Sequence, residues 1–216
     1  MDALAEIESR LEAQALTVLG GFSPQPGEAG FPRGTATLLM IGLREPGFWP
    51  QFTASPEWQD GQSDAMDRWS RRVLGQLACS LGAKALFPFG GPPYHPFYQW
   101  ALRTGRVWDS PVRLLVHADQ GLMVSFRGAL ALRQRLELPG GTRPCDSCPQ
   151  PCLSACPAGA LGAEGYDVPA CHAALDLDTG ADCLSAGCRT RRACPRSQSY
   201  ARLPEQSAYH MRQFHP

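Results

Sequence analysis

CDSCPQPCLSACP, residues 145–157, is the stretch on which the reading of this sequence turns. It places cysteines at 145, 148, 152 and 156, separated by two, three and three residues, and it ends on a Cys-Pro pair. Downstream, Cys171, Cys183, Cys188 and Cys194-Pro195 supply four more, with gaps of eleven, four and five. Of the nine cysteines only Cys79 lies outside this segment. The opening, MDALAEIESRLEAQAL, is acidic and amphipathic where an export signal is basic and then apolar. Thiols crowded together in such a chain point to metal rather than to disulfides, and to a cytoplasmic location.

Eight thiolates make two sets of four. The arrangement is similar to that of bacterial ferredoxins, where three near cysteines and a distant fourth close one cluster and the cysteine before proline serves the other. On that rule Cys145, Cys148, Cys152 and Cys194 hold a first four-iron four-sulfur cluster, and Cys156, Cys171, Cys183 and Cys188 a second. Proline suits the first turn of a helix, so the first Cys-Pro pair predicts a short helix at 158–161 with its positive end toward an anionic cluster. Arg189, Arg191, Arg192 and Arg196 either compensate that charge or form a solvated face. His172, beside Cys171, is a substitute ligand or a packed side chain. The competing reading is a pair of structural zinc sites, because Cys-x2-Cys and Cys-x4-Cys are also zinc spacings. The repeated Cys-Pro ending and the small-residue segment PAGALGAEGYDV (157–168) weigh against it.

Upstream, LPGGTRP (138–144) reads as a linker. It separates an α/β domain at 1–138 from a small two-cluster module at 139–198, with a C-terminal segment at 199–216 that packs back onto the first domain as a helix from 204. Within 1–138, apolar residues at 4, 7, 11, 15, 16 and 18 predict a helix over 2–19, and FSPQPGEAGFPRG (22–34) a loop. TATLLMIGL (35–43) is continuously apolar and suits a buried central strand. Residues 45–61 read as an irregular loop and 63–81 as a helix capped by Ser63. A strand at 84–89, a proline-led helix at 96–104, and two strands at 112–117 and 122–127 joined by a tight turn at 119–121 complete a mixed α+β layout. The balance of 20 acidic and 20 basic residues provides no global field for nucleic acid or an anionic membrane. Walker, GxGxxG and HExxH motifs are absent from the sequence, which sets nucleotide-triphosphate and zinc-hydrolase chemistry aside.

CDSCPQPCLSACPAGAL resembles the dicluster module of epoxyqueuosine reductases and reductive dehalogenases. SPVRLLVHADQGLMVSFRGAL (110–130) is similar to the strand pair that precedes the clusters in those enzymes. The resemblance implies a nitroreductase-like first domain, a fold shared by the corrinoid-processing vitamin B12 chaperones, followed by a ferredoxin-like module. It implies an electron carrier with two four-iron clusters or, alternatively, a reductase in which the clusters feed cobalamin or flavin. Epoxyqueuosine reduction itself is not implied, because the segment that carries those enzymes' catalytic aspartate reads PPYHPFYQWALRTG here (92–105) and holds no acid. Partners are then a redox protein or a small-molecule substrate. For a cofactor in the first domain the candidate contacts are His95, on a loop after Gly-Gly-Pro-Pro, and Arg127, with Trp49, Phe52, Trp58, Trp69 and Trp100 as rings that stack on a macrocycle or fill the core. Cys79 is expected to be buried and inert.

Overall fold

The computed structural model describes residues 3–216 and shows an α+β protein. In chain order its strands are β1 (Leu16–Phe22), β2 (Thr37–Leu43), β3 (Lys84–Leu86), β4 (Val107–Asp109), β5 (Leu115–His117), β6 (Phe126–Leu132), β7 (Leu161–Gly162) and β8 (Gly165–Tyr166). The helices are α1 (Ala3–Glu12), α2 (Phe48–Thr53), α3 (Pro56–Gln59), α4 (Ala65–Ser80), α5 (Phe97–Leu102), α6 (Val168–Leu175), α7 (Ala181–Ala186), α8 (Arg189–Ala193), α9 (Pro195–Gln198) and α10 (Pro204–Phe214). Two compact units result: Met1–Arg106 with Ser125–Gly141, and Val107–Val124 with Thr142–Pro216. The division differs from a single cut at 138, because residues 107–124 join the cysteine-bearing unit. No described helix is long and apolar enough to cross a membrane.

The first unit is built on an antiparallel sheet in the order β1-β2-β6-β3. All seven residues of β2 are buried, as continuous apolar composition requires of a strand paired on both edges. The helix expected over 2–19 stops at Glu12, and Asp2 lies outside the described residues. Ala15 takes a left-handed conformation (φ 50°) and redirects the chain, so Leu16 and Val18 pair with Leu43 and Ile41 instead of continuing a helical stripe. Two features hide this from a periodicity argument: the apolar residues at 15, 16 and 18 fit either period, and the Gly20-Gly21 stop falls inside the strand.

Residues 45–61 hold two short helices where a loop was expected. Phe48 and Phe52, one turn apart on α2, are fully buried and stack on each other at 5.6 Å. Trp69 from α4 meets both edge-on, and Trp58 closes on Phe52 at 5.3 Å. Ser55 caps α3 by accepting from Trp58 N at 3.4 Å. Helix α4 buries Met66, Trp69, Val73, Leu74 and Leu77 along one stripe, with Asp64 rather than Ser63 at its cap. Cys79 faces away from that stripe and is exposed, which corrects the expectation of a buried thiol.

In the second unit β4 and β5 form a hairpin, with Val107 opposite His117. The strand pair expected from 112–117 and 122–127 is not formed. His117 bridges Gly121 in the tight turn, Leu122 and Val124 are buried, and β6 then pairs with β2 and β3 in the other unit. Helix α10 begins at Pro204 as expected, but it packs on α7 of the second unit. The predicted helix at 158–161 is replaced by a turn that Gly159 (φ +62°) ends before the β7-β8 hairpin.

Truncating Phe52 to alanine is expected to cost about 3–5 kcal/mol, and truncating the half-buried Trp49 distinctly less, in denaturant unfolding followed by tryptophan fluorescence. Arg72 grips the Glu57 carboxylate with two hydrogen bonds, Nε at 2.5 Å and Nη2 at 2.9 Å, and holds its carboxyl below the usual range. A depressed carboxylate stabilises the fold above the ordinary range and loses that contribution as pH falls through its lowered value. Glu57→Gln should therefore cost about 1 kcal/mol near neutrality, discounted for the exposure of Arg72, and leave acid stability almost unchanged; an equal loss at both pH values would refute this.

Candidate metal centre

Hydrophobic side chains alone do not fill the core of the second unit. Val112, Val116, Leu122 and Leu161 cluster there with Cys152 and Cys194, and Cys145, Cys156 and Cys188 pack against them. All the cysteines are free thiols. Cys145, Cys148, Cys152 and Cys194 line one recess, with Val116 and Leu122 on its wall. The 3-10 turn Pro151–Leu153 carries Cys152, entered through Gln150 in a left-handed conformation (φ 56°). That bend turns the Gln150 N–H toward Cys148, and it donates to Sγ at 3.4 Å. Cys194 sits at the junction of α8 and α9, where Pro195 opens the following helix.

The turn at 119–121 backs directly onto Cys194. Gly121 has φ +57°, and a Cβ there would lie 2.5 Å from Ser197 N and 2.9 Å from Cys194 Sγ. Leu122 N donates to Ser197 Oγ at 2.9 Å and fixes the turn against α9. Ser110, also on the recess wall, is buried, and its hydroxyl has no hydrogen-bond partner among the described residues. An unanswered buried hydroxyl costs about 1–3 kcal/mol.

Several of the thiols act on one another electrostatically. Burial pushes the Cys145 thiol up, opposed by Arg143 and reinforced by Cys194, Cys152 and Cys148. Burial likewise raises Cys152, with Cys194 and Cys148 adding to it. Cys171 is raised by burial, lowered by a hydrogen bond from Tyr166, and raised again by Cys188 and Cys156. Cys183 is raised by burial, with the Arg189 backbone opposing and Cys188 adding. Cys145 and Cys152 thus feel Cys148 and Cys194, Cys171 feels Cys156 and Cys188, and Cys183 feels Cys188. Tyr166 is itself pushed well up by burial and by its bond to Cys171.

The four arginines separate. Arg191 turns inward, donating from Nη1 to the Leu122 carbonyl, and its guanidinium feels both Cys188 and Tyr166. Although the residue keeps some accessible area, burial lowers its pKa. Arg189 and Arg192 both pair with Asp182, and Arg196 is exposed. His172 faces the C-terminal segment, with Nδ1 2.6 Å from His215 Nδ1 and its ring 4.5 Å from Phe214, so its side chain is packed.

In the first unit the cofactor candidates are engaged elsewhere. Arg127 donates from Nε to Ser70 Oγ at 3.0 Å and forms a partly buried ion pair with Asp67 of α4. His95 is half-buried and stacks on Trp100 at 5.3 Å. Phe52, Trp69 and Trp100 are buried among other side chains.

Among the described residues no group of three or more His, Cys, Asp or Glu side chains is drawn together to hold a metal ion. A single zinc ion needs its sulfurs within about 2.3 Å of one point. A four-iron cluster is a larger body that holds thiolates apart at its corners, and a four-thiol recess with an unanswered hydroxyl on its wall fits such a body. Sequence reasoning found the eight cysteines. It missed Ser110, Gly121, Leu122 and Tyr166, which carry no metal-ligand chemistry of their own; only the turn residues at 119–121 were visible. Comparison with protein-family profiles, curated proteins and solved structures finds no match.

Gly121→Ala is expected to push α9 off the turn and to speed labelling of Cys194 by a thiol reagent several-fold in the cluster-free chain, while Cys79 labels at an unchanged rate.

Proposed function

We propose that this chain is an iron-sulfur electron-transfer protein that carries two four-iron four-sulfur clusters, one on Cys145, Cys148, Cys152 and Cys194 and one on Cys156, Cys171, Cys183 and Cys188. The observation that carries the reading is the recess lined by the first four thiols, three from one segment and the fourth from the far end of the unit. Bound there, such clusters supply reversible one-electron chemistry.

The chain's own residues do the rest. Gln150 N–H and the Tyr166 hydroxyl lie against proposed ligand sulfurs, where hydrogen bonds raise a cluster's potential. Arg191 adds a positive charge beside Cys188 and reaches the backbone of Leu122, a wall residue of the first recess. The second unit is accordingly read as a ferredoxin-like module by its ligand order. The nitroreductase-like reading of the first unit rests on 110–130, and 110–124 of that segment lie in the cysteine-bearing unit. With Arg127 and Trp69 engaged inside the first unit, electron transfer is favoured over a cobalamin- or flavin-dependent reductase.

Anaerobic purification should give about eight irons per chain and a broad absorption shoulder in the violet. Cys194→Ser and Cys183→Ser should each lose close to half of that iron, and Cys79→Ser none. Stoichiometric zinc with no iron would overturn the reading, and cobalt or flavin bound alongside the iron would turn it toward a reductase.

A further inference from the structure

Ser110 stands in the loop that closes the β4-β5 hairpin. Its backbone is settled: the N–H donates to Leu114 O at 2.9 Å and the carbonyl accepts from Arg113 N at 3.0 Å. Its side chain is not. The residue is 4% exposed, it lines the recess with Cys145, Cys148, Cys152 and Cys194, and its Oγ has no hydrogen-bond partner among the described residues. Native folds leave few buried hydroxyls unanswered, and such a group calls for an acceptor. The Arg113 side chain in the same loop donates to Ala163 O at 3.0 Å and is no acceptor, so the acceptor is to be sought in the recess that Ser110 lines.

We infer that Ser110 is a potential-setting residue, its hydroxyl donating a hydrogen bond to a sulfur of the cluster held in that recess. The inference rests on the iron-sulfur reading above. A donor aimed at sulfur stabilises the more negative, reduced state over the oxidised one, and so raises the reduction potential. Unlike an arginine, it does this without changing the net charge, and its reach is confined to one cluster. Ser110 binds no iron, so it acts through the sulfur and not as a ligand.

The test uses the full chain, reconstituted anaerobically with iron and sulfide and titrated with dithionite while the reduced-state paramagnetic signals are followed. In Ser110→Ala the iron content stays at about eight per chain, one midpoint moves to a more negative value and the other stays in place, and Ser110→Thr recovers much of the shift. Proton double-resonance spectra in light and heavy water should show an exchangeable coupling in the unmodified chain that Ser110→Ala lacks. The cluster-free Ser110→Ala chain should be at least as stable as its parent, because the hydroxyl it loses had no protein partner. Unchanged midpoints and an unchanged coupling at full iron content would overturn the role of Ser110 and leave the iron-sulfur reading standing. An unmodified chain that takes up no iron would overturn both. Should Ser110→Ala lose iron, the exchangeable coupling in the unmodified chain decides, and its absence overturns the assignment.

Discussion

Thiols gathered around one recess repel as soon as more than one carries charge, and burial makes each charge harder still to form. The second unit is organised around that cost. Its apolar residues are few, and Cys152 and Cys194 occupy core positions that valine or leucine would fill in an ordinary small domain. Without a cation the favourable state of these groups is the neutral thiol, as the raised values at Cys145, Cys152, Cys171 and Cys183 express. An occupant that takes thiolates as ligands relieves both penalties together, and it supplies cross-links to a unit that otherwise depends on short helices and two small hairpins.

The two groups of cysteines are set in different surroundings. Around the first lie the Arg143 guanidinium near Cys145, a backbone N–H at Cys148, Ser110 on the wall, and the glycine turn behind Cys194. Around the second lie the Tyr166 phenol and the Arg191 guanidinium. Each group therefore has a guanidinium close by, and the two differ in the neutral donors beside them, a backbone N–H at Cys148 and a phenol at Cys171.

Much of this was legible in the sequence, and the failures have physical causes. β2 announced itself, since six apolar residues in a row, 38–43, have no solvent face to offer. The stripe on α4 was equally clear, because its period admits one reading. The start of β1 was not, because Ala15, Leu16 and Val18 satisfy helical spacing by coincidence and the deciding feature is a left-handed backbone at an alanine. The cysteines were found because their chemistry is rare and their spacing is short-range. Ser110 and Tyr166 come to the thiols only through hairpin closure, and nothing in their local sequence distinguishes them from loop residues. The strand at 122–127 was misplaced for the same reason: the tight turn at 119–121 was visible, but the partner of β6 lies some ninety residues earlier in the chain.

The chain passes from one unit to the other after Arg106, after Val124 and after Gly141. During synthesis the hairpin that walls the recess therefore emerges well before any of its cysteines, and Val112, Val116 and Leu122 must wait for Cys152 and Cys194 to be made before their shared core can close. The cysteine segment is consequently no detachable tail. A gene fragment beginning at the linker would encode all eight clustered cysteines and lack the hairpin that walls their recess.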